Sequence, residues 1–451
     1  MLNLIVKLFI VILLSCALPA YAQQDDNVVN STSQNLNDSI LSQPRAPFAA
    51  YNPTASMPLS SGERFFRNKY VQMTYIGVPL VVAGIATRGY ASEKFNHLSQ
   101  SFAPDFNYTY DEYLRFAPAA AMLAMKACGV KGRSSWGRML GSDAFSVALM
   151  AGTVYGVKHT ITTERPDGSD FNSFPSGHSA TAFMAAHMLH KEYGNVSPWI
   201  SVGGYAVATA TGATRMLNNK HWMSDILAGA GIGILAVEFG YLFADLIFKE
   251  NGLENFIEPD FSIPQRPSNV GLTMGLSLPL ASLQIGDGQK LLPSTGSRMG
   301  IDGTWFITPN VGIGGAASAT SVPMSLSSDS DQQLSFDATT IAVGAYESFQ
   351  LGENSRFRFN LKTLVGCNII NNRNLLPDVI KTDAAGFYYE VGASFSVALR
   401  RHFGASIFCD YGGNTFSTTH TPSSEFNLTR DGRHFNLLHT ATIGISTTLI
   451  I

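Results

Sequence analysis

Two periodicities divide the sequence. Between Glu63 and about Glu250, apolar residues gather in runs that suit helices: Val71 to Ala86, Tyr113 to Ala127, Ala144 to Val157, Ala180 to Leu189, Trp199 to Ala213 and Ile226 to Phe248. After Asn251 the rule becomes strict alternation, the period of a strand with two unlike faces. Phe357, Phe359, Leu361 and Val365 share one face and Arg356, Arg358, Asn360 and Lys362 the other. Phe387, Tyr389, Val391, Phe395 and Val397 are set in the same way against Glu390, Ser394, Ser396 and Arg400. The first pattern predicts a helical bundle and the second an antiparallel sheet.

The alternating runs predict eight strands, near 270–280, 298–307, 311–320, 338–350, 356–366, 386–399, 403–411 and 436–451. Their connections alternate in length. Thr308-Pro309-Asn310, Gly352-Glu353-Asn354 and Arg401-His402 are tight, whereas 281–297, 321–337, 367–385 and 412–435 are long and polar. Short turns on one side, long loops on the other and an even strand number describe an outer-membrane β-barrel. A soluble sandwich or lipocalin-like barrel is the competing architecture, but these runs exceed the soluble strand mode of about 5–6 residues. An eight-stranded barrel is filled by its own side chains, so it would anchor or recognise rather than conduct. The expected fold class is multidomain α and β: a helical bundle domain, then an eight-stranded antiparallel up-and-down β-barrel.

The N-terminus changes the setting. Met1 to Ala22 has Lys7, an apolar core from Leu8 to Leu14, and Ala20-Tyr21-Ala22 before Gln23, which reads as a removed secretory signal. Leu13-Leu14-Ser15-Cys16 offers a lipoprotein signal as the alternative. Residues 23–62 are rich in Asn, Ser, Gln, Asp and Pro, and a segment with so little to bury is expected to be a disordered linker. The expected division is therefore 1–22 signal, 23–62 linker, 63–255 helical domain and 256–451 barrel. Lys126, Asp143, Glu192, Glu238 and Asp245 interrupt the helical runs, so bundle helices are expected rather than spans. Ile226 to Phe248 is the best candidate for an exception.

Composition narrows the partners. The 451 residues carry a net charge of −3, which argues against nucleic acid, and a charged fraction of 14%, which is low for a soluble protein and fits a membrane setting. Cys128, Cys367 and Cys409 are scattered without metal-ligand spacing, so neither a disulfide framework nor a zinc site is indicated.

Against this weakly charged background, one stretch concentrates reactive groups: Lys158, Arg165-Pro166, Pro175-Ser176-Gly177-His178, Arg215, His221 and Asp225. A phosphoryl group in its transition state spreads negative charge over three oxygens, which cations and oriented N–H groups stabilise. Lys158, Arg165 and Arg215 supply the cations. Pro175-Ser176-Gly177 precedes an apolar helical run, so it is expected to open a helix whose first N–H groups bind an anion, with Gly177 admitting the phosphate and Ser176 donating to it. His221 and Asp225 lie four apart, stacked on one helix face if that helix begins near Asn218-Asn219. A carboxylate on one ring nitrogen fixes the tautomer and leaves the other nitrogen nucleophilic.

In residue type and spacing, Lys158-x6-Arg165-Pro166, Pro175-Ser176-Gly177-His178 and Arg215-x5-His221-x3-Asp225 resemble the three-part signature of the type-2 phosphatidic acid phosphatase and vanadium haloperoxidase superfamily. The third part usually begins Ser-Arg and here reads Thr214-Arg215, which keeps the hydroxyl. The resemblance covers about residues 65–250 and implies a helical bundle with its site at one end. It also implies roles. His221 is the nucleophile that forms a phosphohistidine, His178 the acid and then the base, and Asp225 the orienter, while Lys158, Arg165, Ser176, Gly177 and Arg215 bind the phosphate. No metal and no cofactor are implied.

The expected function is hydrolysis of phosphate monoesters, with a lipid phosphate such as lipid A favoured. The alternatives are a non-specific acid phosphatase of soluble esters, a vanadate-dependent haloperoxidase, and a non-catalytic outer-membrane binding or adhesin protein. The expected setting is a Gram-negative envelope, the barrel in the outer membrane and the phosphatase domain in the periplasm. Expected partners are a phosphorylated lipid or small phosphomonoester and the outer membrane.

Overall fold

The computed structural model describes residues 64–451 except 66, 256–261, 263–264, 287, 328–333, 353–355, 378, 425 and 427. The expected signal (1–22) and linker (23–62) lie outside the described residues. The chain forms two compact units, the first ending at Val71 and the second running from Gln72 to Ile451. Apart from the first three residues of the first helix, all that follows concerns the second.

After a short α1 (Lys69–Thr74), the helices are α2 (Gly77–Ala86), α3 (Tyr90–Phe102), the one-turn α4 (Asp111–Leu114), α5 (Ala117–Ala127), α6 (Trp136–Thr160), α7 (Gly177–Tyr193), α8 (Pro198–Leu217) and α9 (Met223–Phe248). The predicted apolar runs fall within these helices, with α3 added. Helix α9 is the hub. Ile232, Val237 and Tyr241 on it pack with Met184 and Met188 of α7 and Met139 and Met150 of α6. Contact between α7 and α9 is backbone-close, because a Cβ at Gly233 would stand 2.3 Å from the Ala180 carbonyl oxygen. Helices α6 and α9, of 25 and 26 residues, are long and apolar enough to cross a membrane, and the apolar window is 78% buried in α9 but only 17% in α6.

The C-terminal part is an antiparallel sheet of twelve strands among the described residues. Eight are long: β1 (Asn269–Pro279), β4 (Gly296–Phe306), β5 (Val311–Leu326), β6 (Leu334–Gln350), β7 (Phe357–Ile370), β10 (Ala385–Arg400), β11 (Phe403–His420) and β12 (Gly432–Ile450). They pair in that order, and β12 returns to pair with β1. The other four, β2 (Leu283–Gly286), β3 (Gln289–Pro293), β8 (Asn374–Leu376) and β9 (Ile380–Thr382), lie in two of the expected long connections. Strands of three to five residues carry too few alternations to announce themselves. They are fixed by packing, since Leu283, Ile285, Leu291, Leu375 and Ile380 join a dry cluster around Phe336 and Phe416.

Burial inverts the usual rule. Phe357, Phe359, Leu361 and Val365 are exposed, whereas Arg358 and Glu390 are buried. Inside, Lys362 Nζ lies 2.6 Å from Glu390 and 2.8 Å from Asp410, and Arg298 and the Tyr388 hydroxyl also reach Glu390. An apolar exterior around a paired polar interior is the arrangement suited to lipid.

Helix α3 lies over the outward face of this sheet. Phe95 and Leu98 pack with Met274, Leu276, Met299 and Ala319. Ser297 Oγ donates to the Lys94 carbonyl at 2.8 Å, and His97 Nδ1 is 3.1 Å from Ser321 Oγ. A second contact joins the last residue of β10 to α7, where Arg400 Nη1 lies 3.1 Å from His190 Nε2.

Candidate active site

The site is assembled where three chain segments turn. Helix α8 ends at Leu217, and Asn219 takes a left-handed conformation with φ 58°. The Asn219 and Lys220 N–H groups then donate to the Met216 and Arg215 carbonyls at 3.0 Å, a helix-terminating reversal that Asn tolerates better than most residues. The chain folds back and presents His221 near Arg215. Helix α9 opens only at Met223, with Asp225 at its third position accepting from the Trp222 N–H at 3.0 Å. His221 therefore precedes the helix rather than lying on it, and the pair meets across the cap, Nδ1 to Oδ2 at 3.4 Å. The expected one-turn stacking is corrected by the Asn219 reversal.

His221 is 2% exposed and Asp225 fully buried. Ser173 was not anticipated: its Oγ donates to Asp225 Oδ2 at 2.5 Å and stands 3.5 Å from His221 Nδ1. Burial pushes His221 down from the ordinary 6.5 to about 4, against the pull of Asp225, and the charges of Arg215 and Arg165 act in the same direction as burial. At neutral pH the ring is uncharged. With Nδ1 turned to Asp225, Nε2 carries the free lone pair.

Helix α7 begins with Ser176 as its cap. Ser176 is fully buried, and its Oγ accepts from the Ser179 N–H at 3.3 Å and the Ser179 hydroxyl at 3.1 Å. As an acceptor its Oγ caps the helix, which leaves its own hydroxyl hydrogen to be donated. Gly177 has open space, since a Cβ there would meet nothing within 4 Å. Helix α9 presses on this turn from behind, where a Cβ at Gly229 would be 2.5 Å from the Ser176 carbonyl oxygen.

The cations surround this turn. The Lys158 ammonium donates to the Asn172 carbonyl, and Arg165 Nε bonds Asp170 Oδ1 at 2.9 Å. Arg215 Nη1 bonds Asp111 Oδ2 at 2.9 Å and lies 3.9 Å from Glu112 Oε1. Glu112 Oε2 is 3.0 Å from His178 Nε2 and 3.2 Å from Arg115 Nη2. Burial lowers the His178 pKa and Glu112 partly restores it, while contact with His178 lowers the Glu112 pKa. Asp111 and Glu112 carried no sequence signal, being an acidic pair at the start of a four-residue helix. The ligand atoms of Asp111, Glu112 and His178 lie within 4.8 Å of one another, near enough to hold a cation. Arg215 and Arg115 already balance those carboxylates.

Residues 144–248, which hold every one of these motifs, match the model of the PAP2 superfamily. The helical part is thus similar to that superfamily, as its three motifs imply. Among individual proteins, the lipid A 1-phosphatase of Porphyromonas gingivalis is 47% identical over 174 residues, 38% of this chain and 39% of that protein. The lipid A 4'-phosphatase of Helicobacter pylori is 29% identical over 117 residues, 24% of this chain and 56% of that protein. The chain thus spans well under two thirds of the length of these relatives. The outer membrane protein OprG of Pseudomonas aeruginosa aligns with 43% of this chain and 99% of its own, with 12% identity and a TM-score of 0.34.

Proposed function

We propose that this chain hydrolyses a lipid phosphate monoester, with lipid A as the substrate class, through a phosphohistidine on His221. The observation that carries the reading is the neutral, buried His221 held by Asp225 beside the α7 N-terminus, within the field of Arg165 and Arg215. His221 Nε2 attacks phosphorus, the P–O ester bond breaks, and His178 gives its proton to the departing oxygen. Water then attacks phosphorus as His178 takes its proton, the P–N bond breaks, and phosphate leaves with His221 neutral again. Gly177, Lys158, Arg165 and Arg215 hold the phosphoryl oxygens. Ser176 serves the same site as the cap that orients the α7 N–H groups.

Lipid rather than soluble ester is supported by the setting. The ring of eight long strands, apolar outside and polar within, supports an outer-membrane β-barrel in a Gram-negative envelope. Exposed Tyr108, Tyr110, Tyr113 and Phe171 near the site suit the aromatic zone of a membrane interface. The test is phosphate release by the purified full chain from lipid A against a soluble phosphomonoester. The expected outcome is lipid preference, abolished in His221→Ala; turnover surviving in that variant would sink the chemistry.

A further inference from the structure

The sequence led to a phosphatase domain in the periplasm. The packing of the helices along the sheet carries a different sidedness. The eight long strands have two unlike rims. At one, Phe306 joins Val311 and Arg400 joins Phe403 through short turns; at the other stand the long connections that contain β2, β3, β8 and β9. In outer-membrane barrels the short turns are periplasmic and the long loops face the exterior.

The helical part touches both rims, with opposite ends. Ser297 and Ser321, paired with each other near the long-connection rim, hold Lys94 and His97 of α3. That helix is the wall of the site: Asn96 Nδ2 donates to Asn219 Oδ1 at 2.7 Å, and the Ser224 N–H donates to Ser92 Oγ at 3.1 Å, on either side of His221. The short-turn rim is met by Arg400, which reaches His190 near the C-terminal end of α7. His178 and His190 lie on the same helix, and twelve residues at ~1.5 Å each separate them by roughly 18 Å. The axis from His178 to His190 therefore descends from the long-connection rim toward the short-turn rim.

We infer that the active site opens at the outer face of the outer membrane, and that its substrate is the lipid phosphate of the outer leaflet. This rests on the phosphatase and barrel readings above, but it is tested without turnover. Three positions serve as probes. Tyr113 is 82% exposed and adjoins Glu112 at the site. Cys128 is exposed and follows α5 at the opposite end, where the Arg133 N–H donates to the Glu192 carbonyl near the end of α7. Pro309 lies in the exposed short turn between β4 and β5.

In a background with Cys367 and Cys409 replaced by Ala, and Cys128 too wherever it is not itself the probe, Tyr113→Cys, native Cys128 and Pro309→Cys are each presented alone to a membrane-impermeant maleimide on intact Gram-negative cells expressing the full chain. The expected result is labelling of Tyr113→Cys on intact cells, and of Cys128 and Pro309→Cys only after lysis. Labelling of Tyr113→Cys only after lysis, or of Pro309→Cys on intact cells, overturns the inference. Cys128 needs no new substitution at the probe site and keeps the test decisive should Pro309→Cys fail to fold: its labelling on intact cells overturns the inference as well. A chain that labels as expected yet releases no phosphate would refute the chemistry and leave the sidedness standing.

Discussion

Glu112 shares one carboxylate oxygen between two partners, 3.0 Å from His178 Nε2 and 3.2 Å from Arg115 Nη2. In the proposed chemistry the first of these belongs to the ring that serves the leaving group. A phosphate entering between His178 and Arg215 meets a like charge there, and Arg115 is placed to receive Glu112 as it retreats. Glu112→Gln keeps the shape and removes the charge. We expect vanadate and inorganic phosphate to inhibit this variant at concentrations about tenfold lower than wild type, an effect of ~1.4 kcal/mol, with kcat changed less than KM. Unaltered inhibition constants would show that Glu112 does not contest the phosphate.

In the proposed chemistry Asp225, held by the Ser173 hydroxyl, orients the His221 ring. Asp225→Asn can donate to Nδ1 and so favours the wrong tautomer, which should lower kcat by roughly 10²–10⁴. Ser173→Ala removes only the hydroxyl that holds Asp225 Oδ2, and a loss of about tenfold is expected. Rapid-quench measurement of the phosphoenzyme separates these from folding defects, since both variants should form it slowly but to full stoichiometry.

The pH profile follows from the depressed His221. A nucleophile that protonates near 4 rather than 6.5 remains active through mildly acidic conditions, so the acid limb of kcat/KM should fall near pH 4. Stability has its own sign. Because the folded pKa is below the unfolded one, the unfolded chain binds the proton first as pH falls. The contribution is complete above about 6.5 and is lost as pH drops toward 4. In His221→Gln that slope in thermal midpoint should flatten; an unchanged slope would assign it to other groups.

Within the sheet, Glu390 is fully buried between Arg298 and Lys362. Glu390→Ala leaves Arg298 and Lys362 to share Asp410 in the interior, an unbalanced charge that should cost about 3–5 kcal/mol, read as a lower urea midpoint in detergent. Glu390→Met combined with Lys362→Met should recover part of the loss, because it removes a charge of each sign. A double variant no better than the single would contradict the pairing.

What could be read beforehand was set by how rare each signal is. Cations and histidines stand out in a chain with 14% charged residues, and the resemblance of their surroundings to a known three-part signature singles out eight residues of that stretch. The long strands were visible because each alternates exposed apolar with inward polar residues. Asp111 and Ser173 were not, since they reach Arg215 and Asp225 across 104 and 52 residues and only tertiary structure brings them there. His221 was misplaced onto a helix because a left-handed Asn219 leaves no periodic trace. Ser176 has the further role of capping its helix, as a Ser before a helix commonly does.

The strip from Met274 to Ala319 covered by α3 has a consequence for substrate choice. If the sheet spans the bilayer as proposed, a sheet wall with a helix fastened along it is a ruler as well as an anchor, for the height of His221 relative to the lipid band is then built into the Ser297 and Ser321 contacts. A phosphate carried at that height meets the histidine without being lifted from the bilayer, and one carried much higher or lower does not. Selection among lipid phosphates can then be made by depth, with no side chain assigned to reading the sugar or the acyl chains.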